Sequence, residues 1–88
     1  MSGLPVGTLT FVFTDIEGST ASVGALGERA WRDVLVDHAV ILRRAFTAHG
    51  GREVRTEGDS FFFVFASAPA AVAACAAAQR ALAGHAWP

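Results

Sequence analysis

Apolar and polar positions alternate one for one near the start of the chain. Leu9, Phe11 and Phe13 are set against Thr10, Val12 and Thr14. A period of two marks a strand, whose successive side chains leave on opposite faces, and the pattern predicts one over Thr8–Thr14. Asp15–Gly18 breaks the alternation, and Ser19 or Thr20 is placed to cap a short helix reaching about Leu26, with Gly27 as its stop. Over Glu28–His49 the period lengthens. Trp31, Leu35, His38, Leu42, Ala45 and Phe46 recur at three- and four-residue steps, with Val34 and Ile41 widening the stripe. Arg32, Asp33, Arg43 and Arg44 fall largely on other faces, as on a solvated helix surface, and Gly50-Gly51 ends the helix. Arg52–Thr56 and Ser60–Ala66 then read as a hairpin about Glu57-Gly58-Asp59. Phe61-Phe62-Phe63-Val64-Phe65 is apolar on both faces, which predicts a central strand or one covered by a partner. Pro69 opens a last helix to about Ala83, stopped by Gly84. Met1–Gly7, with two glycines and a proline, reads as a flexible lead-in, which leaves residues 8–88 as a single domain.

The resulting order, β-α-α-β-β-α, predicts an α+β fold of the ferredoxin-like, palm-type split βαβ arrangement. In that topology the second hairpin strand inserts antiparallel beside the first strand. The end of strand one then meets the start of strand three, which brings Asp15 and Asp59 to one rim of the sheet. Two carboxylates there repel each other unless a cation bridges them, and hard oxygen donors suit Mg²⁺ or Mn²⁺. The same topology leaves the outer side of Leu9–Thr14 unpaired, since no strand-like segment follows the last helix. An open apolar edge of this kind predicts an incomplete domain or one that needs a partner.

Composition narrows the function classes. The net charge of −1 and the absence of a long basic run argue against nucleic-acid binding through a cationic patch. A single cysteine, Cys75, excludes an internal disulfide, suits a reducing compartment and, within an alanine-rich run, reads as a packed thiol rather than a nucleophile. No basic-then-apolar leader is seen. Ala66–Ala78 is too short and too weakly apolar to span a bilayer, so a cytoplasmic location is expected without a membrane partner.

The Asp15–Thr20 turn leads from a strand into a helix N-terminus. Backbone N–H groups at Gly18, Ser19 and Thr20 there would face outward with the positive end of the helix dipole, a natural phosphate cradle. Taken alone, an ordinary capped turn explains this segment equally well, and Glu57-Gly58-Asp59 alone is a common hairpin turn. Together, in this order, Phe13-Thr14-Asp15-Ile16-Glu17-Gly18-Ser19-Thr20 and Arg55-Thr56-Glu57-Gly58-Asp59-Ser60 resemble the metal-binding motifs of class III nucleotidyl cyclases, the adenylate/guanylate cyclase catalytic domain. The resemblance runs from Gly7 to Pro88, matching the N-terminal half of such a domain.

That resemblance implies two metal ions, Mg²⁺ or Mn²⁺, held by Asp15, Asp59 and the carbonyl of Ile16. It implies that Gly18, Ser19 and Thr20 lie against the triphosphate of ATP or GTP, and that cAMP or cGMP and pyrophosphate are the products. The position of Arg55, three residues before the hairpin glycine, is usually a purine-contacting lysine in the family's adenylate cyclases. A rigid guanidinium fork there leaves the choice of purine open, and a plain surface strand residue is the competing reading. The family's transition-state residues come from its later half and from a partner subunit. No catalytic residue is therefore identified here, and a chain of this extent is expected to be inactive alone and to form a homo- or heterodimer with a cyclase domain. The alternative is a non-catalytic nucleotide- or partner-binding remnant that pairs with an intact cyclase domain. A diguanylate cyclase is disfavoured, because the hairpin reads Glu57-Gly58-Asp59-Ser60-Phe61.

Among the remaining polar residues, His38 on the apolar stripe is expected to be packed and hydrogen-bonded. His49 is expected to sit as a cation at a helix C-terminus, and His85 to lie in a tail too short to organise. Trp31 and Trp87 read as packing residues.

Overall fold

A computed structural model describes residues 7–88, so the lead-in expected over Met1–Gly7 lies, Gly7 apart, outside the described residues. The elements run β1 (Thr10–Thr14), α1 (Ser19–Leu26), α2 (Glu28–Ala48), β2 (Arg52–Glu57), β3 (Ser60–Phe65) and α3 (Ala68–Gly84). This is the α+β order read from the sequence. The three strands form one antiparallel sheet in the order β1-β3-β2, with the Phe-rich β3 in the centre.

Alternation along β3 separates its apolar residues into two sets. Phe61, Phe63 and Phe65 join Leu42 and Phe46 of α2 and Ala71, Ala74 and Ala78 of α3 in the core. The alanine face of α3 lets that helix approach closely, and Phe46 meets the Phe63 ring at 4.4 Å between centroids. Burying a phenylalanine of this kind contributes about 1.5–3 kcal/mol. On α2 the buried positions are Val34, His38, Leu42 and Phe46, one per turn, while Trp31, Leu35, Ile41 and Ala45 flank them half-buried.

The ends of α2 depend on glycines. Gly27, at φ 85°, both closes α1 and precedes the first turn of α2. At the other end Gly50 adopts φ 85°, its N–H bonds the Thr47 carbonyl at 3.1 Å, and the Gly51 N–H bonds the Phe46 carbonyl at 2.8 Å. These are the two bonds of a Schellman cap, and they turn the chain directly into β2. Three local expectations are corrected. Neither Ser19 nor Thr20 caps α1, because Gly18 in the left-handed region (φ 69°) takes that place with no side-chain cap bond. Helix α3 begins at Ala68 under a Ser67 side chain that accepts from the Ala70 N–H, and it runs through Gly84. Strand β1 begins at Thr10, two residues later than the alternation suggests.

Candidate metal and nucleotide site

The register of the sheet builds the rim. Thr14, the last residue of β1, lies opposite Phe61 near the start of β3, so Asp15 and Asp59 follow and precede a pair of adjacent strands. A two-residue turn, Gly58-Asp59, joins β2 to β3, and Gly58 (φ 60°) supplies the positive φ that a type II′ hairpin requires at its first central position. Both carboxylates then reach one backbone group. The Ile16 N–H donates to Asp15 Oδ1 at 3.0 Å and to Asp59 Oδ2 at 3.3 Å. The Ser60 hydroxyl donates to Asp15 Oδ1 at 3.2 Å, a partner the sequence reading missed although the strand register would have located it.

Among the described residues, neither carboxylate forms an ion pair with a protein cation. Two anions sharing a single N–H, with oxygen lone pairs to spare, form a donor set that suits a hard divalent cation. The set is small, since no group of three or more His, Cys, Asp or Glu side chains able to hold a metal occurs among the described residues. Further ligands must be carbonyls, water or the substrate itself, as is usual for Mg²⁺.

Asp15 borders clefts on both sides of the rim. One, of ≈ 530 Å³, lies on the sheet face away from the helices, between Phe13, Asp15, Arg55, Ser60 and Phe62. Arg55 pairs with Phe62 across the strands and is 73% exposed, its guanidinium held only by Glu57 at 3.3 Å. The second, of ≈ 500 Å³, lies on the helix side and includes Ile16, Glu17, Trp31, His38 and Trp87. Gly18, Ser19 and Thr20 line neither of these two clefts and sit at the start of α1, just beyond Ile16.

Other polar residues depart from their sequence reading. His38 is packed as expected but not hydrogen-bonded at Nδ1, which is buried without a partner, as is Thr14 Oγ1. Burial lowers the His38 pKa below 6.5, and the negative charge of Asp59 opposes that shift. His85 is organised after all. Its Nε2 lies 2.9 Å from Asp37 Oδ2, its ring meets Trp87 edge-on at 4.3 Å, and the Trp87 indole donates to the Leu82 carbonyl. Arg43 is not simply solvated, since it makes a bidentate pair with Glu53 at 2.7 and 3.0 Å. That pair lowers the Glu53 pKa below 4.5. His49 Nδ1 contacts the Ala45 carbonyl at the end of α2.

The family model of the adenylate and guanylate cyclase catalytic domain matches residues 3–85. The chain belongs to that family. It is 42% identical to an adenylate cyclase of Schizosaccharomyces pombe over 96% of its own length, and 38% identical to one of Lachancea kluyveri over 96%. It is also 38% identical over 90% of its length to the receptor-type adenylate cyclase B of Leishmania donovani. It spans 5%, 4% and 6% of these three relatives, respectively. No helix among the described residues is long and apolar enough to cross a membrane.

Proposed function

We propose that this chain forms the metal- and phosphate-holding side of a nucleotidyl cyclase site, acting on ATP or GTP to give cAMP or cGMP and pyrophosphate. The observation that carries the reading is the meeting of Asp15 and Asp59 at the Ile16 N–H without a protein cation between them. Asp15, Asp59 and the Ile16 carbonyl would hold two ions, Mg²⁺ or Mn²⁺. Once bound, such ions supply Lewis-acid activation and neutralise the charge of the triphosphate.

The chain's own residues bind and orient. The Ser60 hydroxyl and the Ile16 N–H both donate to Asp15 Oδ1, so Oδ2 would be the oxygen that meets a cation. The N–H groups at the start of α1 would receive phosphate oxygens, aided by Gly18, which alone fits the left-handed turn there. Arg55, beside Phe62 on the same face as Asp15, would contact the purine edge or the phosphates. Transition-state groups would come from a second cyclase domain, as a homo- or heterodimer. A nucleoside triphosphate substrate suits a cytoplasmic location.

Calorimetry of ATP and GTP binding with Mn²⁺ tests the reading. Asp15→Ala and Asp59→Ala are each expected to weaken metal-dependent binding by about tenfold or more, as removal of a metal ligand or its close support does. A folded wild-type chain that binds neither nucleotide would sink it. A second reading, a non-catalytic element pairing with an intact cyclase domain, is favoured by one observation. Phe11 and Phe13 are 57% and 72% exposed on the sheet face that carries Arg55.

A further inference from the structure

Behind the rim, β1, α2 and α3 enclose a cleft of ≈ 270 Å³. Its walls are largely hydrocarbon, but Thr14, Asp15, His38 and Gln79 also reach it. Two of these present the unpartnered buried atoms, Thr14 Oγ1 and His38 Nδ1. His38 is only 6% exposed, so it cannot turn to solvent for a partner. Buried polar groups in native proteins are almost always hydrogen-bonded. A site with two to four polar neighbours and more than about 30 Å³ of room is where a buried water is held, whereas a purely apolar cavity stays dry.

We propose that one buried water joins Thr14 Oγ1 to His38 Nδ1, and that this link positions Asp15 from behind. Thr14 and Asp15 are consecutive, and strand alternation sends the Thr14 side chain, like that of Val12, toward the helices. Helix α2, 21 residues long and closed by its glycine cap, is a rigid post. A link from that post to the last residue of β1 fixes the peptide on which the Asp15 carboxylate and the Ile16 N–H depend. The imidazole acts as acceptor at Nδ1, so its proton resides on Nε2. The lowered His38 pKa, caused first by burial, agrees with a neutral ring. The positioning role rests on the proposed metal site, whereas the link itself does not.

The test uses the whole chain with ¹⁵N-labelled histidine, and Thr14→Val beside Thr14→Ser. Wild type and Thr14→Ser are expected to show His38 Nδ1 as a hydrogen-bonded acceptor of the Nε2–H tautomer, and Thr14→Val to lose that signature. The affinity for Mg²⁺–ATP is expected to fall about tenfold in Thr14→Val and to return in Thr14→Ser, the size seen when a support of a metal ligand is removed. Thr14→Ala gives the same comparison if the valine variant does not pack. An Nδ1 signal unmoved by loss of the hydroxyl overturns the link. A moved signal with unchanged affinity overturns the positioning. If the wild type binds no Mg²⁺–ATP, the proposed function fails separately, and the Ile16 amide resonance decides. Displaced in Thr14→Val and restored in Thr14→Ser, it supports positioning; unmoved, it overturns it.

Discussion

Among the described glycines, Gly51 has the least room to change. A Cβ there would stand 2.6 Å from the Phe65 ring and 2.9 Å from the Phe46 carbonyl oxygen. Neither neighbour can yield, since Phe65 is core and the carbonyl accepts the Schellman bond. Gly51→Ala is therefore expected to lower stability by about 1–3 kcal/mol, the usual cost of overpacking, read from urea midpoints. His38 sets a pH dependence. Its folded-state pKa lies below the unfolded value of 6.5, so protons favour the unfolded chain as pH falls. The stability it contributes is full above 6.5 and lost as pH drops through the folded-state value. Urea midpoints taken from about pH 7.5 to 5.5 should fall in the wild type and fall less in His38→Asn. An equal slope in both would overturn the assignment to His38. At this scale the sequence was only partly legible. The apolar stripe placed His38 in the core, but spacing along one helix carries no information about partners on other elements. The Asp37–His85 contact spans 48 residues, and only the folded chain brings the two side chains together.

Among the elements, β2, β3 and α2 could be read almost to the residue, because Gly27, Gly50-Gly51 and Gly58 mark most of their ends. Strand β1 could be recognised as a strand but not oriented. Its alternation defines two faces, and hydrophobicity suggests the phenylalanines point inward. The register instead sends Phe11 and Phe13 outward with Phe62, stacked at 4.4 Å for Phe13, and leaves Val12 to the core side. The inner face is decided by where α2 and α3 pack, a tertiary matter. Under the proposed function, an aromatic cluster left open in this way would be a surface for association. Phe11→Ser with Phe13→Ser is expected to reduce self-association in sedimentation while changing urea stability by no more than about 1 kcal/mol, since both side chains are largely exposed. Unaltered sedimentation would show that this face does not associate. Helix α1 was legible in extent but not in its start. Hydroxyl residues are the commoner caps, yet the tight exit from Ile16 needs a left-handed residue, and only Gly18 provides one without strain.

In the whole molecule, the rim exists only because the chain has folded. Ile16 and Asp59 are 43 residues apart and meet through strand pairing, and that meeting was legible because the order of elements admits few topologies. Under the proposed function this has a thermodynamic consequence. An unfolded chain offers no paired carboxylates, so a divalent cation at the rim binds the folded form alone and acts as a reversible staple across that loop. A hundredfold excess over its dissociation constant would stabilise the fold by about 2.7 kcal/mol. The thermal midpoint is expected to rise with Mn²⁺ and return with chelator in the wild type, and to stay fixed in Asp59→Ala; an equal rise in both would place the ion elsewhere. Proteases that attack opened chains would then sample the stapled form far less often, so the survival of this protein would follow the divalent-ion supply around it.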